Sequence, residues 1–243
     1  MKYLAHISED GLREQTIAEH LKGTADLSAA FASTFGMEET ARRCAMAHDI
    51  GKYSERFQKR IRGSSVRVDH STAGAQVLKE QFKDIPSAFC VSGHHAGLPD
   101  GGSRSDVPED GTFFGKMKRK PGEYEGIETF DAYKNEITLQ QVNEPTAAAH
   151  MKDKVSAFFA TRMLFSCLTD ADFLDTEQFM SDGQVERGGY ASLQELDDRL
   201  TRYMERFSGA ETLLNRKRSE IRQMLIEGGQ LEKGLFSLTV PTG

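Results

Sequence analysis

The stretch "AMAHDIGKYSERF", residues 45–57, decides how the rest of the chain is read. An apolar helical pattern over 38–50 runs into His48 and Asp49, and Gly51 and Lys52 follow at once. Gly51 reads as the stop of that helix. A buried imidazole beside a buried carboxylate is costly unless something pairs with both. A hydrogen bond between the two would meet that cost, and so would a bound metal. Neighbouring residues are about 100° apart around a helix, so His48 and Asp49 can both reach one ion lying off its end. Lys52 is then either a phosphate partner beside the ion or a solvated cation favoured at a helix C-terminus.

The composition sets broad bounds. A chain of 243 residues is long enough for one substantial domain with a second fragment attached. The formal charge of −6 argues against a surface that coats nucleic acid non-specifically, so any DNA contact must be local. No apolar run approaches membrane-spanning length, and MKYLAHISEDG lacks the apolar core of a signal peptide. Cys44, Cys90 and Cys167 are widely spaced in apolar company and read as reduced core residues of a cytoplasmic protein.

Most of the chain has helical periodicity, so the fold class is mostly α. Residues 15–35 form an amphipathic segment in which Ile17, His20, Thr24, Leu27 and Phe31 share a face. Asp69-His70-Ser71 supplies N-cap chemistry for a third helix to about Phe82, with His70 in line with Ala73 and Val77. His94-His95 closes a short apolar segment after Pro86. Residues 97–125 break the pattern with Gly, Pro and charge; so long a loop is functional or disordered. Its Lys116, Lys118, Arg119 and Lys120, near Phe113 and Phe114, read either as a DNA guide or as a solvated insertion. From about 151 a helix apolar nearly all round reads as central and carries Asp170 and Asp172, which point to opposite sides. Two charged amphipathic helices follow, and LEKGLFSLTVPTG reads as a turn and a short strand with nothing of its own to pair with.

Taken singly, each histidine can be a satisfied core residue. Jointly, five histidines and two aspartates on inward faces are many buried polar groups to satisfy by accident. Two metal ions sharing a pocket, with Asp49 placed to bridge, account for all of them. Imidazole with few carboxylates favours Fe, Mn, Co, Ni or Zn over Mg or Ca. His6 and His150 have no such context and are left as surface or supporting residues.

The ordered set His20, His48-Asp49-x-Gly51-Lys52, His70, His94-His95 and Ala171-Asp172-Phe173 resembles the HD phosphohydrolase superfamily. More narrowly, it is similar to the HD nuclease domain of the CRISPR-associated nuclease–helicase of type I interference systems, on the paired histidines and the DADFLDTE stretch. The resemblance implies an HD-domain helical bundle with a dinuclear metal centre. His20, His48 and Asp172 would hold one ion, His70, His94 and His95 the other, Asp49 would bridge, and Lys52 would assist the scissile phosphate. Asp172 is preferred to Asp170 because the family's last ligand directly precedes a bulky residue.

The implied activity is hydrolysis of single-stranded DNA by a metal-activated hydroxide, with two divalent transition-metal ions. The implied partner is an RNA-guided, Cascade-type surveillance complex, and a cytoplasmic monomer is expected. Residues 1–205 would be the nuclease domain. Residues 206–243 would be a linker helix and the first strand of a helicase, cut at Val240-Pro241-Thr242-Gly243 inside its phosphate-binding loop, so that no ATP binds. The alternative is an HD phosphohydrolase acting on nucleotides, a deoxynucleotide triphosphatase or alarmone hydrolase. A metal-stabilised docking module is a further, non-enzymatic reading.

Overall fold

In the computed structural model, residues 2–185, 188–207, 209 and 212–240 are described. The chain divides into two compact units, Met1–Val185 and Glu186–Gly243. The first opens with a hairpin of β1 (Leu4–Ile7) and β2 (Glu14–Thr16), antiparallel, with His6 opposite Gln15. Eight helices follow: α1 (Ile17–Ala32), α2 (Glu38–His48), α3 (Glu55–Ile61), α4 (Ser71–Gln81), α5 (Ile85–Gly93), α6 (Phe113–Lys116), α7 (Pro145–His150) and α8 (Lys154–Met180). The second unit holds α9 (Leu193–Glu205) and α10 (Leu213–Gly228). Helix α9, grouped with the first domain in the sequence reading, thus lies in the second unit.

Helix α1 starts where its sequence says it should. Thr16 and Glu19 form a capping box, each side chain accepting from the other's backbone N–H. Helix α1 then packs against α2 and α8, while α4 packs on α5. Small buried residues, among them Ala25, Ala41, Ala45 and Ala88, line these contacts and let the helices approach closely. Leu78, Val91, Leu164 and Leu168 fill the space between, and Cys44, Cys90 and Cys167 are buried and free. A second cluster, with Ile17, Leu21, Ile50 and Val77, joins the hairpin to the turn after α2.

Four expectations change. Helix α2 ends at His48, and a buried 3-10 turn over Ile50–Tyr53 continues the chain, so Gly51 is not a helix stop. Its reason is proximity: a Cβ there would meet the backbone oxygen of His70 at 2.2 Å. Helix α8 is buried along one face only, at Ala160, Leu164, Cys167, Leu168 and Ala171, while Phe158, Phe159 and Phe173 are exposed. The 97–125 segment is an ordered loop that contains α6, with Phe113 in the core. Finally, residues 234–240 form neither helix nor strand, because a strand needs a ladder partner and the described residues offer none. Pro241, Thr242 and Gly243, the rest of the expected phosphate-binding loop, lie outside the described residues.

Candidate metal centre

Five helical elements deliver seven side chains to one place. His20 comes from α1, His48 from the last position of α2, Asp49 from the residue after it, and His70 from the entry to α4. His94 and His95 follow the end of α5, and Asp172 lies in α8. They fall into two groups whose donor atoms lie within 4.8 Å of one another: His20, His48 and Asp172; and Asp49, His70, His94 and His95.

Asp49 joins the groups. Its Oδ2 lies 3.4 Å from Nε2 of both His20 and His48. Its Oδ1 lies 3.4 Å from His70 Nε2 and 3.5 Å from His94 Nε2. Asp172 Oδ1 completes the first group at 3.3 Å from His20 Nε2 and 3.6 Å from His48 Nε2. These separations are long for charge-assisted hydrogen bonds, which run to about 2.7–2.9 Å. They match donors that share an ion: with bonds of about 2.0–2.1 Å, ligand edges come to roughly 3.0–3.4 Å.

The imidazoles are held from behind. His48 Nδ1–H donates to the Ala45 carbonyl at 2.6 Å, and His94 Nδ1–H to the Val91 carbonyl at 2.7 Å. His20 Nδ1 donates to Asp175 Oδ2 at 2.7 Å. Each ring therefore turns Nε2 to the common centre, the arrangement in which a second partner fixes the tautomer of a metal-binding histidine. His70 and His95 face each other through Nε2 at 2.7 Å.

The buried atoms need a cation. His20 Nε2, His48 Nε2, His94 Nε2 and both Asp49 oxygens have no hydrogen-bond partner. An unsatisfied buried polar group costs about 1–3 kcal/mol, so five together would rival a domain's net stability of about 5–15 kcal/mol. The Lys52 ammonium lies 2.6 Å from Asp49 Oδ2 as an ion pair, off hydrogen-bond alignment, and covers one side of one oxygen only. The donor set and its orphaned atoms thus fit two divalent ions.

Protonation follows the same charge logic. Burial pulls His20 down, but the carboxylates of Asp172, Asp175 and Asp49 outweigh it and lift it to about 9. Burial likewise opposes His48, and Asp49 and Asp172 raise it to about 10. In the metal-free protein these protons supply positive charge that the carboxylates demand. Asp49 titrates well below the usual carboxylate range: against burial, the Lys52 and His48 charges hold it ionised. His70 and His95 go the other way, lowered to about 3 and about 4, chiefly by burial.

All seven sequence-expected donors thus converge, with Lys52 beside them. Of the two aspartates, Asp172 enters the centre and Asp170 is exposed. Asp175 and Gln15 escaped the sequence reading, and His6, left there as a surface or supporting residue, lies against His20. Asp175, one turn beyond Asp172, backs His20. His6 stands edge-on to His20 with ring centroids 4.7 Å apart, and Gln15 bonds both His6 and Asp175. The spacing Asp172–Asp175 was the available signal for the first; the hairpin that brings in the other two gave none. His150 lies elsewhere and bonds the Phe35 carbonyl.

The basic residues of the loop make local contacts. Lys116 bonds the Ser92 carbonyl, Lys118 the Arg104 and Asp106 carbonyls, and Arg119 the Asp69 carboxylate. Lys120 pairs with Glu123. Their charges close the loop on itself and on the start of α4.

The family model described as HD domain matches residues 17–126. This segment of the chain is similar to an HD domain. The match spans His20, His48, Asp49, His70, His94 and His95, while Asp172 and Asp175 lie beyond it. HD domains bind divalent metals, and the two donor groups found here could hold such ions. No curated protein shows significant similarity to the chain. No helix among the described residues is long and apolar enough to cross a membrane.

Proposed function

We propose that the protein is a metal-dependent nuclease that hydrolyses phosphodiester bonds of single-stranded DNA, as the nuclease part of a CRISPR type I interference nuclease–helicase. The observation that carries the reading is the division of Asp49, one oxygen toward each donor group. A pair of divalent ions held there would lower the pKa of bound water toward 7 and offset charge on a phosphate under attack.

The chain's own residues supply the rest. His20, His48 and Asp172 would hold one ion and His70, His94 and His95 the other, with Asp49 between them. Imidazole-rich sites suit Mn, Fe, Co, Ni or Zn better than Mg. Lys52, nearly buried and held against Asp49, would present its ammonium to a non-bridging phosphate oxygen. His95 is exposed and Asp172 partly so, which leaves the centre open on one side, as a polymer substrate requires. An RNA-guided surveillance complex is the proposed recruiting partner and the cytoplasm the proposed compartment.

The test uses metal-free protein and circular single-stranded DNA, with Mn, Fe, Co, Ni, Zn or Mg added singly and Asp49→Ala as control. Cutting of the circle with transition metals, lost in the variant, supports the proposal. An intact circle with phosphate or triphosphate released from nucleotides would replace it with a nucleotide phosphohydrolase.

A further inference from the structure

We propose that His6 is a positioning residue for the Lys52 ammonium, fixing one of its three N–H bonds so that another is left for the substrate phosphate. The inference deepens the hydrolysis proposed above and rests on that reading. It starts from a carboxylate. Asp175 Oδ2 accepts from His20 Nδ1 at 2.7 Å and from Gln15 Nε2 at 2.8 Å. An ionised carboxylate only accepts, so the Gln15 amide must turn its NH2 toward Asp175 and its oxygen away. That oxygen lies 2.7 Å from His6 Nδ1, which must therefore carry the ring proton. The other nitrogen, Nε2, is left with its lone pair, and it lies 3.5 Å from Lys52 Nζ. A chain of forced donors and acceptors thus runs from His20 to Lys52.

The backbone holds both ends of the contact. Gln58 Nε2 donates to the Leu4 carbonyl at 2.9 Å and to the Lys52 carbonyl at 3.0 Å, and its Oε1 accepts from Leu4 N at 3.0 Å. Strand β1 is therefore tied to the 3-10 turn two residues before His6. The register of the hairpin sets His6 opposite Gln15. On the other side the Phe57 ring lies 5.4 Å from the Lys52 nitrogen. Lys52 is 6% exposed, and its ammonium is ion-paired with Asp49 at 2.6 Å and lies 3.5 Å from His6 Nε2. It meets no further acceptor among the described residues, which leaves an N–H available to a phosphate oxygen.

This assigns His6 to turnover rather than to metal retention, and separates it from Asp175, which acts on His20. The Mn-loaded full chain is assayed on single-stranded DNA, with Mn affinity and thermal unfolding measured for each variant. His6→Ala should lower kcat by about 10–100-fold, the usual cost of losing such a supporting contact, with KM, Mn affinity and unfolding unchanged. His6→Gln, whose side-chain oxygen reaches the place of Nε2, should recover most of that loss; His6→Asn, which reaches only the place of Nδ1, should not. Asp175→Ala should instead weaken Mn binding. Equal defects in His6→Gln and His6→Ala, or loss of Mn from His6→Ala, would overturn the proposal. Nitrogen-15 NMR of the metal-free wild type gives a readout independent of activity: His6 must be the Nδ1–H tautomer, and an Nε2–H ring would overturn the proposal as well. A wild-type protein that cuts nothing sinks the nuclease reading alone, and the tautomer still decides the His6–Lys52 contact.

Discussion

Gly23 tests the link between packing and metal affinity. It lies on α1 one residue before Thr24 and about one turn beyond His20, on the side that meets α8. A Cβ at this position would lie 1.9 Å from Asp175 Oδ1 and 2.9 Å from its Cγ, with no backbone of α8 in the way. Gly23→Ala should therefore displace the Asp175 carboxylate and leave the helix pair intact. Two opposed terms follow. Alanine in place of glycine inside a helix gains about 1 kcal/mol. Loss of the His20 and Gln15 bonds to a charged acceptor costs about 1.5–3 kcal/mol each, about 3–6 kcal/mol together. Net stability should fall by about 2–5 kcal/mol on those figures. Metal affinity should fall about 10–100-fold, because His20 loses the partner that orients its ring.

The assay is a double-mutant cycle with Asp175→Ala, reading Mn affinity by titration and stability by urea unfolding. If the glycine serves only to admit the carboxylate, the double variant binds Mn no worse than either single one. It should also be more stable than Asp175→Ala by about the helix gain of 1 kcal/mol. Wild-type affinity in Gly23→Ala, or additive losses in the double variant, would refute the reasoning.

Other substitutions probe other joints. Gly51→Ala would drive a Cβ to 2.2 Å from the His70 carbonyl oxygen and 2.7 Å from its Cα. Both sides are backbone, so unfolding should cost about 1–3 kcal/mol less than in wild type, with the His70 group losing its ion first; a wild-type melt and full metal content would contradict this. Metal uptake should release protons unevenly. At pH 7.5 His20 and His48, raised to about 9 and about 10, each hold a proton that an ion must displace. His70 and His95, lowered to about 3 and about 4, hold none. Affinity of the His20 group should rise with pH up to about 9–10 and that of the His70 group should not; calorimetry in buffers of different ionisation enthalpy reads the released protons. Without metal, the lowered groups destabilise the fold as pH falls below 6.5, since only the unfolded chain then takes up their protons. Arg119→Met breaks its 2.6 Å pair with Asp69 and should cost about 1.5–3 kcal/mol, with faster hydrogen exchange in residues 97–125. Impaired DNA binding with no change in stability would instead support the loop as a DNA guide.

The residues that were legible in the sequence share a local cause. His20 shows through its three-and-four spacing with Ile17 and Thr24, and His48 and Asp49 through the abrupt end of an apolar helix. Both signals lie within a few turns of one helix, where periodicity reports the buried face directly. Gln15, and the pairing that brings His6 to it, were hidden because the two meet through a hairpin whose register no single stretch encodes. Composition shows the charge of the loop cations, but not that Lys116 and Lys118 reach backbone carbonyls and Arg119 reaches Asp69. Gly51 was recognised as special and given the wrong cause, since the close passage of His70 is a tertiary fact. The exposed Phe158, Phe159 and Phe173 show the limit of hydropathy: an all-apolar helix need not be buried on every side.

The most direct test of a shared centre is an anomalous-scattering map of crystals grown with Mn. The account predicts two Mn peaks about 3.5–4 Å apart, one within bonding distance of each Asp49 oxygen, and loss of at least one peak in Asp49→Ala. A single peak, or two that do not share Asp49, would contradict it.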